Sequence, residues 1–296
     1  MRDFPSLNAL RIFEELSKYK SISDTANSLR VTQGAVSRQL KHLEAYLGVK
    51  LVERSPRGIE LNTTGEYLAK QLSQCFDQIE IAVQTANKNF DRITLNILTP
   101  PTWSTRWLSA RLHNFYILYP NIKIRITTIP NAGQMDEYDC YIRFGIGPRP
   151  KYETSTLLAL EHHIAVASPN IFLNGTTPNL HQHALLQIMH DGKRLPIWEN
   201  WLARACISNI DTQNSPEFST LDQAIHIAVA GGGIAIIDQQ MIQPELKSGS
   251  LKKISDICYD GPYGYWLDIP QTKMELPKIR LFHQWIKDMY EAERIN

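Results

Sequence analysis

The periodicity of the apolar residues changes once along the chain, near residue 91, and that change divides any fold the chain can adopt. Between residues 64 and 90, Leu68, Leu72, Cys75, Ile79, Ala82 and Ala86 recur at alternating steps of four and three. This spacing puts them on one stripe of a single long helix, a heptad-like seam nearly three repeats long. A helix of that length between two differently patterned regions reads as a linker that pairs two copies of the chain. The alternative reading is a helix packed on its own domain. At 296 residues the chain has room for two or three cores.

The region before the seam is helical. Leu7, Leu10, Ile12, Phe13 and Leu16 mark a first helix. A second begins near Ser21-Ile22-Ser23, with Ser23 as the expected N-cap and Ala26 and Leu29 turned inward. Arg30-Val31 turns the chain into a third helix, capped by Thr32 and ended by Gly48 at C′. The stripe Val36, Leu40, Leu43 and Leu47 is expected to dock that helix on its domain. Two short strands, 51–54 and 58–61, then flank a Ser55-Pro56-Arg57-Gly58 turn. Three helices followed by a hairpin form a winged helix-turn-helix, here residues 1–63.

The outer face of the third helix is unusual for a solvent-facing surface. Gly34 and Ala35 allow close approach, while Gln33, Ser37 and Arg38 supply the donors and acceptors that base edges require. From Arg30 to Arg57 there are six basic and two acidic residues. Such a local excess attracts phosphates, although the net charge of the whole chain is only +1. Lys41 fits a phosphate contact, and Arg54 and Arg57 on the hairpin are placed to grip backbone or minor groove. With Thr32, these residues form the candidate double-stranded DNA interface.

After residue 91, strands are expected at 93–100, 122–129, 139–145, 162–168 and 184–189. A helix is expected at 105–119, a helix–glycine turn–strand unit over 219–238, and a last helix from Leu276-Pro277 to about Glu293. Repeated β-α-β units imply a mostly parallel sheet covered by helices and split into two α/β lobes around a ligand cleft. The lobes are expected at about 91–160 with 267–296, and at about 161–266.

Several function classes are excluded. The N-terminus has no apolar signal core, and no run approaches the roughly 18 residues of a membrane span, so a cytoplasmic location is expected. The four cysteines are scattered, without metal or disulfide spacing. His162-His163, His181, His183 and His190 lack ligand-like spacing, so no metal is expected. No nucleophile elbow, Walker lysine or paired-carboxylate motif points to an enzyme, and no cofactor is implied. Gly231-Gly232-Gly233 follows a helix and precedes a strand, the reverse of a phosphate loop. Trp198 and Trp201 read as packing residues.

The run 7–65 resembles the LysR-type transcriptional regulators almost position for position. The resemblance rests on Ala26 with Leu29, on Val31-Thr32-Gln33-Gly34-Ala35-Val36-Ser37, on Leu43-Glu44 with Leu47-Gly48, and on Leu61-Asn62-Thr63-Thr64-Gly65. The later half is similar to the branch containing the glycine-cleavage activator and the β-lactamase regulator, through Arg106-Trp107-Leu108, Ile142-Arg143-Phe144-Gly145, Trp198-Glu199-Asn200-Trp201-Leu202 and Ala230-Gly231-Gly232-Gly233-Ile234. Trp103-Ser104 stands where relatives usually show Phe-Ala, which puts a different bulk and polarity at the expected pocket rim.

The resemblance implies a C-terminal effector domain of periplasmic-binding-protein type. A small molecule would sit between the lobes, in a homodimer or homotetramer that contacts promoter DNA and possible RNA polymerase partners. The best ligand contacts lie where helix starts and strand ends face the crevice. Thr102, Trp103 and Ser104 precede the helix at 105, and Phe218, Ser219 and Thr220 precede the helix at 221. Arg143 and Phe144 end a strand, and Tyr265 sits on a late one. The Ser and Thr residues read equally as helix caps, and Arg143 equally as a structural cation. A constitutive regulator with a filled cleft, or a solute-binding or enzymatic α/β protein with a helical accessory domain, are the alternatives.

Overall fold

The computed structural model describes residues 4–55, 58–87, 93–129, 137–149, 154–172 and 175–295. The chain divides into two compact units, Met1–Asp91 and Arg92–Asn296. No helix among the described residues is long and apolar enough to cross a membrane.

The first unit holds α1 (Leu7–Tyr19), α2 (Ile22–Leu29), α3 (Gln33–Leu47), the antiparallel pair β1 (Val52–Ser55) and β2 (Gly58–Leu61), and α4 (Thr63–Asn87). Local chemistry sets each boundary. Ser21, rather than Ser23, caps α2: its side chain accepts from the Asp24 N–H at 3.3 Å. Ser23 is already the second helical residue, two positions too late to serve. Thr32 accepts from the Ala35 N–H at 3.2 Å, and Gly48 ends α3 with φ of 71°.

The core of this unit is Ala9, Phe13, Leu16, Leu40, Leu43 and Leu51, joined by Ala69 and Leu72 of α4, with Val36 in an adjoining cluster of Ile12 and Ala26. Leu47 departs from the expected stripe. It is the last residue of α3 and is 38% exposed. A buried acid takes over there. Glu44 accepts from Lys50 Nζ at 2.8 Å and from the Leu51 N–H at 2.9 Å, tying the end of α3 to the start of the wing. Burial pushes its carboxyl up, but these bonds more than offset that, and its pKa falls below the usual 4.5.

Asn62 performs the matching task for α4. Its amide donates to the Lys50 carbonyl, and its Oδ1 accepts from the Gly65 N–H, both at 2.8 Å. Gly65 is needed because a Cβ there would stand 2.1 Å from the Leu51 carbonyl oxygen. The heptad seam of α4 thus has two fates. Leu68 and Leu72 pack on their own unit, while Cys75, Ile79, Ala82 and Ala86 lie exposed, Ile79 by 50% and neighbouring Val83 by 54%.

The second unit is built on one nine-stranded sheet. Its strands are β3 (Ile93–Leu98), β4 (Ile122–Thr127), β5 (Cys140–Gly145), β6 (Thr154–Ala167), β7 (Leu185–His190), β8 (Lys193–Arg194), β9 (Glu217–Phe218), β10 (Ile234–Asp238) and β11 (Lys252–Ile269). They run in the order β4-β3-β5-β11-β6-β10-β7-β8, with β9 beside β7. The expected mostly parallel sheet is only partly there. Parallel pairs β3–β4 and β3–β5 form one lobe, and β7–β10 and β7–β9 the other. Between them run two long antiparallel strands, β6 and β11, paired from Lys252↔Ala167 to Ile269↔Thr154. Each belongs to both lobes, which short-window periodicity could not reveal.

The expected helix at 105–119 is two pieces. A π-helical turn, Trp103–Leu108, follows a helical start at Pro101, and α5 (Leu112–Leu118) resumes after a break. Aromatic packing explains the wide turn: Trp103 stacks on Trp107 with centroids 4.9 Å apart, and Trp107 on Tyr290 at 4.4 Å. Tyr290 lies on the last helix, α9 (Pro277–Ile295). The remaining helices, α6 (Ile197–Arg204), α7 (Leu221–Val229) and α8 (Gln243–Ser248), cover the second lobe, where Trp198 and Trp201 are buried in the core.

Glu44 is ionised and bonded in the fold, so its contribution is present above about pH 4.5 and is lost as pH falls below that value. Replacing Glu44 by Gln is expected to cost the N-terminal unit about 1–3 kcal/mol at pH 7, and the deficit relative to the unsubstituted chain shrinks below pH 4. Urea unfolding followed by circular dichroism at both pH values checks this.

Candidate functional site

Two surfaces carry chemistry. The first is the outer face of α3. Thr32, Gln33, Gly34, Arg38 and Lys41 are exposed, and Ala35 and Ser37 are half-buried at its flank. Gln33 is oriented by α2, its Nε2 donating to Ser23 Oγ at 3.4 Å. Gly34 has nothing within 4 Å of a Cβ built on it, and its φ is not positive. A helical glycine costs about 1 kcal/mol against alanine, and nothing inside this unit requires one. Arg54 sits on β1; Arg57 lies outside the described residues. Lys50, counted in the basic excess, is engaged by Glu44.

The second surface is a cavity of about 370 Å³ in the C-terminal unit, enclosed by the ends of β3, β5, β7 and β10 and by the middle of β6 and β11. Of the expected effector residues, Thr102, Arg143, Phe144, Thr220 and Tyr265 line it. Trp103, Ser104 and Phe218 do not. Trp103 is fully buried, and its indole N–H donates to the Tyr290 hydroxyl at 3.0 Å. The Trp-Ser departure therefore alters the core rather than the rim. Ser104 donates to the Pro101 carbonyl at 2.8 Å from inside the π turn. Phe218 pairs with Ile188 along β9–β7, and the chain turns only at Ser219 toward the cavity.

The lining hydroxyls of Thr102 and Thr220 also have structural tasks. Thr220 caps α7 in a reciprocal box with Gln223, at 3.3 and 3.2 Å. Thr102 accepts from the Asp222 N–H at 3.3 Å, joining the two lobes. Arg106 extends this junction, with Nε on Asp222 at 2.5 Å, and Nη1 on Glu245 at 2.7 Å and on the Met241 carbonyl at 3.2 Å. The two helix starts at 101 and 221 are thereby fixed side by side, with their first amides at the cavity edge.

Arg143 combines both readings. Its Nε donates to buried Asp268 at 2.8 Å and Nη2 to the Gly147 carbonyl at 2.8 Å, and it still lines the cavity. Gly145 makes room for it: a Cβ there would stand 2.5 Å from Nη1. Tyr265, its ring 5.3 Å from that of Phe144, is buried, which pushes its phenol well above the ordinary range.

Among the lining groups outside the expected effector set are Glu161, His163 and Asp238. Glu161 and His163 pair at 3.2 Å. Asp238 Oδ1 accepts from the N–H groups of His162 at 3.1 Å and Gln240 at 3.3 Å. Burial raises the Asp238 carboxyl to about 6. The usable signal was Asp238 at the carboxyl end of the apolar run IAIID, where ligands meet open α/β sheets.

A carboxyl with a raised native pKa keeps its proton longer in the folded chain than in the unfolded one. Stability therefore falls as pH rises from about 4 to about 6 and is level above, a loss of about 3 kcal/mol from this group. Asp238→Asn is expected to remove that slope. All six tryptophans lie in the C-terminal unit, so denaturant unfolding followed by tryptophan fluorescence at pH 4.5 and 7 isolates the effect.

Comparison with known proteins gives the family of both units. Residues 7–66 match the bacterial regulatory helix-turn-helix protein model of the lysR family, and residues 89–291 match the LysR substrate binding domain. The glycine cleavage system transcriptional activator of Escherichia coli K12 is 31% identical, over 98% of this chain and 95% of that protein. The HTH-type transcriptional activator AmpR of Providencia stuartii is 32% identical, over 95% and 94%. Among solved structures, the effector domain of AmpR from Pseudomonas aeruginosa aligns with 69% of this chain and all of its own, at TM-score 0.59 and 24% identity. CrgA, a LysR-type regulator from Neisseria meningitidis, aligns over 97% and 99% at TM-score 0.56 and 19% identity, a likeness of fold. The chain belongs to the LysR family: it is a DNA-binding transcriptional regulator with a C-terminal effector-binding domain.

Proposed function

We propose that α3 enters the major groove of promoter DNA, with Gln33, Ser37 and Arg38 reading base edges and Gly34 and Ala35 letting the backbone come close. Thr32 and Lys41 stand at the flanks for phosphate contact, and Arg54 and Arg57 belong to the wing that fixes register. The observation that carries this reading is the open space over Gly34, a glycine for which the unit itself has no use.

The exposed second half of the α4 seam supports a homodimer, in which Cys75, Ile79, Ala82 and Ala86 meet the same residues of a second chain. Two recognition helices would then address a dyad-symmetric site. Tetramers, contact with RNA polymerase and action in the cytoplasm extend the same proposal. An effector in the 370 Å³ cavity would bias the arrangement of subunits by binding one arrangement better than another. The open cavity favours an effector-responsive regulator over a constitutive one, and the relatives are regulators rather than enzymes.

Binding to the DNA upstream of its own gene, measured by fluorescence anisotropy, tests the interface. Arg38→Ala is expected to weaken binding by about 1–3 kcal/mol. Gly34→Leu, which has room in the free protein, is expected to reduce affinity on the order of tenfold or more by holding the helix off the groove. Unchanged affinity in both overturns the assignment. For the pairing helix, Ile79→Lys is expected to shift the sedimenting species toward monomer at micromolar concentration; an unchanged assembly points to another interface.

A further inference from the structure

The charges that line the cavity are unevenly matched. Arg143 is balanced by Asp268, which also accepts from Ser155, and the lining further holds Arg149 and the His190–Asp191 pair. At the centre of the sheet, two carboxylates share a single imidazole. Glu161 and His163 are two apart on β6, and Asp238 pairs directly with His163 in the β10–β6 ladder, so all three stand on one face. Glu161 and Asp238 are only 3% and 4% exposed. Asp238 Oδ2 and His163 Nδ1 have no hydrogen-bond partner. A carboxylate oxygen left bare in a dry site is costly unless something arrives to meet it. The fold even makes space for this wall, since a Cβ on Gly261 would stand 1.9 Å from Glu161 Oε1.

Asp238 Oδ2 calls for a donor, and the surroundings restrict its kind. Among the described residues no group of three or more His, Cys, Asp or Glu side chains is arranged to hold a metal ion. The lining also carries apolar and aromatic side chains, among them Phe144, Ile188, Leu195, Ile197 and Tyr265. That suits the carbon skeleton of a small organic molecule rather than a hydrated ion. We propose that the effector carries a primary ammonium group, seated against Glu161 and Asp238 with its carbon body among these side chains. This rests on the reading that the cavity is the effector site. The ammonium supplies positive charge beside both carboxylates and the donor that Asp238 Oδ2 lacks, and Tyr265 is placed to add a hydroxyl beside them.

The test uses the full-length chain and two matched sets of probes. One set is the standard amino acids and simple dipeptides; the other is their N-acetyl and des-amino counterparts. Thermal shift finds binders in either set, and isothermal titration calorimetry measures them. Binding is expected only with a free amine, and acetylation is expected to weaken it on the order of tenfold or more. Asp238→Asn and Glu161→Gln are expected to weaken the same probe comparably, while tryptophan fluorescence confirms that the unit remains folded. The proposal is overturned if an amine-free probe binds as tightly as its parent, or if both substitutions leave affinity unchanged; the effector cleft itself then stands. If neither set binds, the proposal and the reading of the cavity as an effector site fall together.

Discussion

The antiparallel ladder between β6 and β11 is the constraint on which the C-terminal unit depends. Each strand serves both lobes, so the lobes share covalent and hydrogen-bonded continuity through the middle of the sheet. The ladder shifts register between Asp260 and Gly264, where the strands leave one lobe for the other. Glu161 sits opposite that irregularity, and Asp238 reaches the same face from β10. The polar wall of the cavity is thus a product of the crossing itself. At the cavity edge, Arg106 and Thr102 fasten the helix starts of the two lobes together, so the cavity is held at both its floor and its margin.

Much of this architecture was legible in the residues, and for physical reasons. Caps and helix ends are local chemistry, so Thr32 and Gly48 could be assigned from neighbours in sequence. The inward stripe of α3 followed from period alone, as far as Leu43. It failed at Leu47 because period alone does not show that a helix ends there and its last residue faces solvent. The cap of α2 was misplaced by two residues because Ser21 and Ser23 offer the same side chain, and only geometry separates them. The long strands β6 and β11 were illegible as units. Their pairing connects residues about a hundred positions apart, and each alternates differently in its two halves.

The cavity divides in the same way. Thr102, Thr220 and Arg143 were found because helix starts and strand ends announce themselves. Trp103 was placed on the rim by proximity to them, whereas its indole needed a buried partner and found Tyr290. Glu161 and His163 gave no signal, since a carboxylate in mid-strand reads as a solvated side chain until the opposite strand is known. Glu44 carries no visible task in the Leu43-Glu44 motif taken as sequence. Its two bonds to Lys50 and Leu51 show that the motif marks a joint between helix and wing.

The division of labour around α3 has a consequence for how such a protein changes over generations. Val36, Leu40, Leu43 and Glu44 anchor the helix from one side, and on the other Gly34, Arg38 and Lys41 owe nothing to the fold. Substitutions at Arg38 and Lys41 leave the protein's thermodynamic reserve nearly untouched, and replacing Gly34 by alanine adds about 1 kcal/mol to it. On the proposed reading of this face, the set of promoters addressed can drift, or be reassigned by design, without the chain first having to become more stable.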